Sequence, residues 1–247
     1  MSLLKNLETK AGIEGEKDIL GGDGALESGL YDLTIKVAYV TTSSGGALAL
    51  NTVFDYNGKE VRQQFWMTSG TAKGGKNTYI DKRTGKEQYL PGFLTANSLA
   101  LLTVGKEISQ LELEEKTIKL YDFDAKGEVP TKVQVFTELT GQTITAGVQK
   151  QTVDKNIDSG QVDGQGQKIY VPSGETRDIN EVVKFFRADD GLTVPEIEAQ
   201  VTEAKFKNDW DAKYTGKTIN KAKGSKDGVT AGAPSAGAKP TKSLFAK

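Results

Sequence analysis

Asn57-Gly58 constrains this chain more than any other pair of residues. A two-residue turn that matches the twist of two antiparallel strands needs positive φ at both central positions, and Asn-Gly supplies it with the least strain. Both flanks of the pair alternate. Before it, ALALNTVFDY (47–56) places Leu48, Leu50, Thr52 and Phe54 on one side. After it, VRQQFWMT (61–68) sets Val61, Gln63, Phe65 and Met67 against Arg62, Gln64, Trp66 and Thr68. Upstream, LYDLTIKVAYV (30–40) sets Tyr31, Leu33, Ile35, Val37 and Tyr39 against Asp32, Thr34, Lys36 and Ala38, and SSGG (43–46) turns the chain. These segments predict a three-stranded meander.

The third strand leads into a loop rich in glycine and lysine. It carries Lys73, Lys76, Lys82, Arg83 and Lys86 among Tyr79 and Tyr89, opposed only by Asp81 and Glu87. PGFLTANSLALLTVGK (91–106) then reads as a short helix packed by Phe93, Leu94, Leu99, Leu101 and Leu102. Further strands are expected at KTIKLYDFD (116–124), TKVQVFTEL (131–139) and QTITAGVQKQTV (142–153), with Gly127 and Pro130 breaking the ladder between the first two. The expected fold is mainly β: a five- to six-stranded barrel of the oligonucleotide-binding type over residues 29–175, with one helix between its third and fourth strands.

Residues 1–28, with GGDG at 21–24, read as a partly ordered arm. ETRDINEVVKFFR (175–187) suggests a short helix that buries Ile179, Val182, Val183, Phe185 and Phe186. Thr193 followed by Glu196 forms a capping box, which predicts a helix running to about Tyr214 and a helical extension over 176–215. From Gly216 to Lys247 the chain is built of Gly, Ala, Ser, Pro and Lys, too little apolar surface to offset its ordering entropy, so a disordered tail is expected. That stretch holds seven Lys and one Asp, about +6, while the whole chain carries −1.

Composition narrows the chemistry. Among 247 residues there is no Cys and no His, which removes disulfides, thiolate sites, cysteine nucleophiles and the commonest general base and zinc ligand. Asp122 with Asp124, or Asp189 with Asp190, are the candidate carboxylate pairs for magnesium or acid–base work, as in a metal-dependent nuclease. No phosphate-loop motif frames the glycine pairs at 21, 45 and 74. A nonenzymatic protein without metal or cofactor is expected. MSLLKNLETKAG is too short and polar for a signal peptide, and no run of 18 apolar residues occurs, so a soluble protein of the cytoplasm is expected.

A strand with one apolar and one aromatic, basic face, followed by a basic aromatic loop, suits a single-stranded nucleic acid. Trp66 either stacks on a base or packs under a loop. Arg62 either meets phosphate or pairs with Asp55 or Asp32. Lys82, Arg83 and Lys86 sit at the tip of a hairpin that either grips the ligand or is merely solvated. The candidate contacts are therefore Arg62, Trp66, Lys73, Lys76, Tyr79, Lys82, Arg83, Lys86 and Tyr89. In the tail, Lys239, Lys242, Leu244, Phe245 and Lys247 have the form of a docking motif for an acidic partner. The basic tail could equally add DNA affinity or serve as a solvated linker.

RQQFWMTSG, EQYLPGF, GETRDINEVVKFF and GLTVPEIEAQVTEAKFKNDWDAKYTGKT together resemble single-stranded DNA-binding proteins of tailed, particularly short-tailed, bacteriophages, over about residues 28–220. The resemblance implies an oligonucleotide-binding barrel that coats single-stranded DNA in replication, recombination and repair. It also implies a terminal tail that recruits replication or transcription proteins. Many such proteins have an acidic tail, whereas this one is basic. By analogy the stacking face maps onto Arg62, Trp66, Tyr79 and Tyr89. The alternative reading is a nonenzymatic barrel used for assembly or recruitment.

Overall fold

The Asn57-Gly58 turn forms with φ of 50° and 83°. In the computed structural model, which describes residues 24–122, 125–162, 164 and 168–223, it joins β2 (Leu48–Tyr56) to β3 (Lys59–Trp66). Their antiparallel register runs from Tyr56↔Lys59 to Ala49↔Trp66, and the apolar face of β3 is buried at Val61 and Phe65 and continues in Met67 just past its end. β1 (Gly29–Thr42) completes the meander along the far edge of β2.

The alternation expected along β1 does not survive its whole length. The register with β2 shifts between Ile35 and Val37. Leu33 and Ile35 are buried before that point and Ala38 after it, with Val40 packed against the core. One extra residue moves the inward set from odd to even numbers, so Val37 and Tyr39 leave the face shared by Leu33 and Ile35. The same irregularity divides the other edge of β1. Gly29 to Thr34 pairs with β8 (Thr143–Val162), while Tyr39 and Val40 pair with β7 (Gly127–Phe136). β7 in turn pairs with β6 (Leu113–Asp122) in a register that includes Lys119↔Pro130. Gly127 and Pro130 therefore do not break that ladder. At this level β7 has a strand on one side only, which is where proline is tolerated.

α1 (Pro91–Val104) covers one end of the sheet and buries Ala96, Leu99, Ala100 and Leu102, while Leu94 is exposed. Beneath it, Phe185 lies 5.9 Å from both Phe54 and Phe65.

Phe185 belongs to β9 (Lys168–Phe186), which replaces the helix expected over 175–187. β8 and β9 form a long antiparallel ribbon, paired from Thr145↔Phe186 outward to Val162↔Lys168. Each ribbon strand runs through a boundary drawn from sequence, β8 past 153 and β9 across 175–176. The residues between Asn156 and Arg177 carry no strand pattern because, beyond the body, both faces of the ribbon meet water and impose no alternation.

The strand path β3-β2-β1-β8, extended by β9, would close if β9 paired with β3. No backbone ladder joins them, so the sheet is not a closed barrel. The Gln63 carboxamide spans the gap instead. It donates to the Asn180 carbonyl (2.9 Å) and accepts the Val182 N–H (3.0 Å), as a peptide group of a neighbouring strand would. The Asn180 carboxamide does the same for the incoming chain, exchanging two 2.8 Å bonds with the Leu26 peptide. Residues 24–28 are thereby part of the fold. Residues 1–23 of the expected arm lie outside the described residues.

Beyond β9 the expected single helix is two, α2 (Val194–Glu198) and α3 (Lys205–Tyr214). The Thr193–Glu196 capping box is present, and the other Glu196 carboxylate oxygen accepts the Phe206 N–H (2.8 Å) in the first turn of α3. Gln200, at φ 56°, lies in the break between the helices. Trp210 of α3 packs where β8 has Gly147; a Cβ there would stand 2.8 Å from the indole. The stretch expected to be tail also begins inside the fold. β10 (Thr218–Asn220) runs parallel to Lys150–Thr152 of β8, and Ala222 is buried. A short parallel strand on a free edge pairs through backbone groups, which its polar, glycine-bordered sequence does not reveal. Residues 224–247, with Lys239, Lys242, Leu244, Phe245 and Lys247, lie outside the described residues.

Gln63→Leu leaves the Val182 N–H and the Asn180 carbonyl without their partner and is expected to lower stability by about 1–3 kcal/mol. Urea denaturation checks this, and an unchanged midpoint would mean that the carboxamide carries no seam.

Candidate nucleic-acid interface

At the end of β3 the chain leaves the sheet at Trp66 and folds back as a compact loop. The Ser69 N–H donates to the Lys76 carbonyl (2.8 Å) and the Lys76 N–H to the Ser69 hydroxyl (3.1 Å), closing a loop around a 3-10 turn at Thr71–Lys73. Gly74 at φ 87° and Gly75 at φ 60° permit the reversal. The loop docks on the β1–β2 turn, where the Thr71 N–H donates to the Gly45 carbonyl (2.8 Å). A Cβ at Gly70 would lie 2.7 Å from that same oxygen, so the close approach needs glycine there.

Next, β4 (Thr78–Ile80) and β5 (Glu87–Tyr89) form a small hairpin of their own. Its turn is held by Asp81, whose carboxylate accepts the N–H of Arg83 (2.8 Å) and of Thr84 (3.4 Å). Lys82, Arg83 and Lys86 are exposed around this turn, the position expected from sequence.

Between β3, β9, the Ser69–Lys76 loop, β4–β5 and the start of α1 lies a cleft of about 1220 Å³. Of the nine residues singled out from sequence, four line it: Trp66, Lys73, Lys76 and Tyr79. Trp66 is 43% exposed although its backbone is tightly held. Its peptide is paired with Ala49, and Gly92 of α1 approaches so closely that a Cβ there would fall 2.3 Å from the Trp66 carbonyl oxygen. An aromatic face on an immobile backbone loses little entropy on stacking. The ammonium groups of Lys73 and Lys76 make no ion pair with another described residue.

The other five candidates lie elsewhere. Arg62 neither faces the cleft nor pairs with Asp55 or Asp32. Its guanidinium holds Glu60 (2.7 Å), which also holds Lys36 (2.7 Å). The hydrogen bonds from Lys36 and then Arg62 keep the Glu60 carboxyl below the usual carboxylate range. Tyr89 stacks on Phe93, with centroids 5.3 Å apart, and the three cations of the β4–β5 turn stand away from the cleft lining.

Ile80, Glu181, Val182 and Val183 also line the cleft. The last three come from β9, and a helical reading of that segment hides them. The run of β-branched Ile179, Val182 and Val183 is the signal that could have found them. Of the carboxylate pairs, Asp190 is tied to Arg187 (2.5 Å), and Asp124 together with the Asp122 side chain lies outside what is described. Among the described residues no group of three or more Asp or Glu is placed to hold a metal ion, and no helix is long and apolar enough to cross a membrane.

No family model matches this chain, and no curated protein matches it.

Trp210 is 4% exposed, in contrast to Trp66. Acrylamide is therefore expected to quench the fluorescence in two components, and Trp66→Phe to remove the accessible one. Loss of the protected component instead would reverse the assignment of the two rings.

Proposed function

We propose that this protein binds single-stranded DNA without a fixed sequence and performs no catalysis of its own. One observation carries the reading: an exposed indole on a fixed backbone shares a cleft with a tyrosine and with two lysines that make no ion pair among the described residues. Bases stack on Trp66 and Tyr79, at about 1–3 kcal/mol per stacked base, while Lys73 and Lys76 neutralise phosphates. The sheet is read as an open relative of the oligonucleotide-binding barrel, with the Gln63 seam where a closed barrel has its last ladder. Within the same proposal the protein coats single strands during phage replication, recombination and repair. Its C-terminal tail recruits replication or transcription proteins.

The test is a fluorescence titration with oligo(dT) across a range of salt. Binding should quench the emission and weaken as salt rises. Lys73→Ala with Lys76→Ala should flatten the slope of log affinity against log salt by about 1.4, roughly 0.7 for each single-strand phosphate that is no longer neutralised. Lys82→Ala with Arg83→Ala, at the hairpin turn, should flatten it less. Absence of binding, or a larger effect from the hairpin pair than from the cleft pair, would overturn this reading of the cleft.

A further inference from the structure

The cleft contains a carboxylate that phosphate binding does not explain. Two acidic residues line it, Glu87 and Glu181. Glu87 accepts the Thr78 hydroxyl (2.6 Å), whereas the Glu181 carboxylate makes no hydrogen bond or ion pair with another described residue. Its main chain is fixed on both sides, because the two peptide groups that Gln63 clamps, the Asn180 carbonyl and the Val182 N–H, flank it. Half-buried Glu181, with no partner among the described residues, thus lines from a fixed strand the cleft that also holds Trp66.

A carboxylate repels phosphate and only accepts hydrogen bonds, so within a strand-binding cleft it suits base edges and not the backbone. The bases differ in what they offer. Guanine presents N1–H and the N2 amino group side by side, two parallel donors that match the two carboxylate oxygens. Cytosine and adenine each offer one amino group beside a ring acceptor. Thymine offers one imino N–H between two carbonyls that repel the carboxylate. Resting on the reading of the cleft as a single-strand site, we propose that Glu181 is a specificity-determining residue that favours guanine at one position of the bound strand. Charge-assisted, two-pronged pairing makes guanine the preferred partner. The protein then binds any sequence but settles in register on guanine.

The test uses the full chain and thymidine oligonucleotides of about ten residues, within the usual span of such sites. They carry dT throughout, or one central dG, dA or deoxyinosine, which lacks the N2 amino group. The single dG is expected to tighten binding about tenfold over all-dT, a typical discrimination for a two-pronged pair, and deoxyinosine to forfeit much of that gain. Glu181→Gln should erase the dG preference and tighten all-dT binding, because a charge that repels the backbone is gone, and that tighter binding also reports that the variant is folded. Equal binding of all four strands by the natural protein would overturn the role of Glu181 and leave the single-strand reading standing. A dG preference that persists in Glu181→Gln would also remove Glu181 from it. Failure of every strand to bind would overturn the single-strand reading and the guanine preference together.

Discussion

The Gln63 carboxamide is the interaction on which the architecture turns. Five strands curl far enough to bring β3 and β9 together, yet no backbone ladder joins them, and one side chain supplies the two hydrogen bonds that a strand would have made. A buried N–H or carbonyl left unpaired costs about 1–3 kcal/mol, so the seam must be satisfied somewhere along its length. Gln63 satisfies it at one point only. Beyond that point residues from the end of β3, from β9 and from the start of α1 line the cleft.

The same arrangement fixes the chemistry of the cleft. Trp66 stands three residues beyond Gln63 on β3, wedged between its pairing with Ala49 and the close approach of Gly92. The β2 ladder and the helix therefore hold the ring's backbone from two directions while its face stays open. Cations and carboxylates share the cleft, Lys73 and Lys76 lining it together with Glu87 and Glu181. Lys73 and Lys76 line the cleft with no ion pair among the described residues, whereas Arg62 and Lys36 are spent on Glu60, an exposed cluster worth little to stability. The lining sets two lysines against two glutamates, so a ligand meets separate basic and acidic points and not a uniformly basic surface.

Much of this is legible in the sequence, and the parts that are not share a cause. The meander can be read because Asn57-Gly58 admits few turns and because β2 and β3 each bury one face. α1 can be read from its apolar residues and the proline at its start. The bulge in β1 escapes notice because Lys36 sits within an otherwise unbroken alternation, and only the pairing with β2 exposes the extra residue. β9 passes for a helix because its inner end is buried at Val182, Phe185 and Phe186, a spacing that mimics helical periodicity, while its outer end has no buried face. That mimicry hides Glu181 and Val183 from the site. The loop's basic character is plain, yet which of its cations face inward depends on how Ser69 and Lys76 close the loop, a matter of tertiary contact and not of composition.

The most direct measurement is a two-dimensional amide spectrum of uniformly nitrogen-labelled protein titrated with oligo(dT). The chain has two tryptophans, one open on the cleft and one buried against β8, so it offers two indole N–H signals with opposite expectations. The Trp66 indole should shift progressively with added strand, together with backbone signals of Lys73, Lys76 and Val183, while the Trp210 indole stays in place. A Trp66 signal that does not move while binding is visible elsewhere would place the nucleic acid outside the cleft and contradict the account.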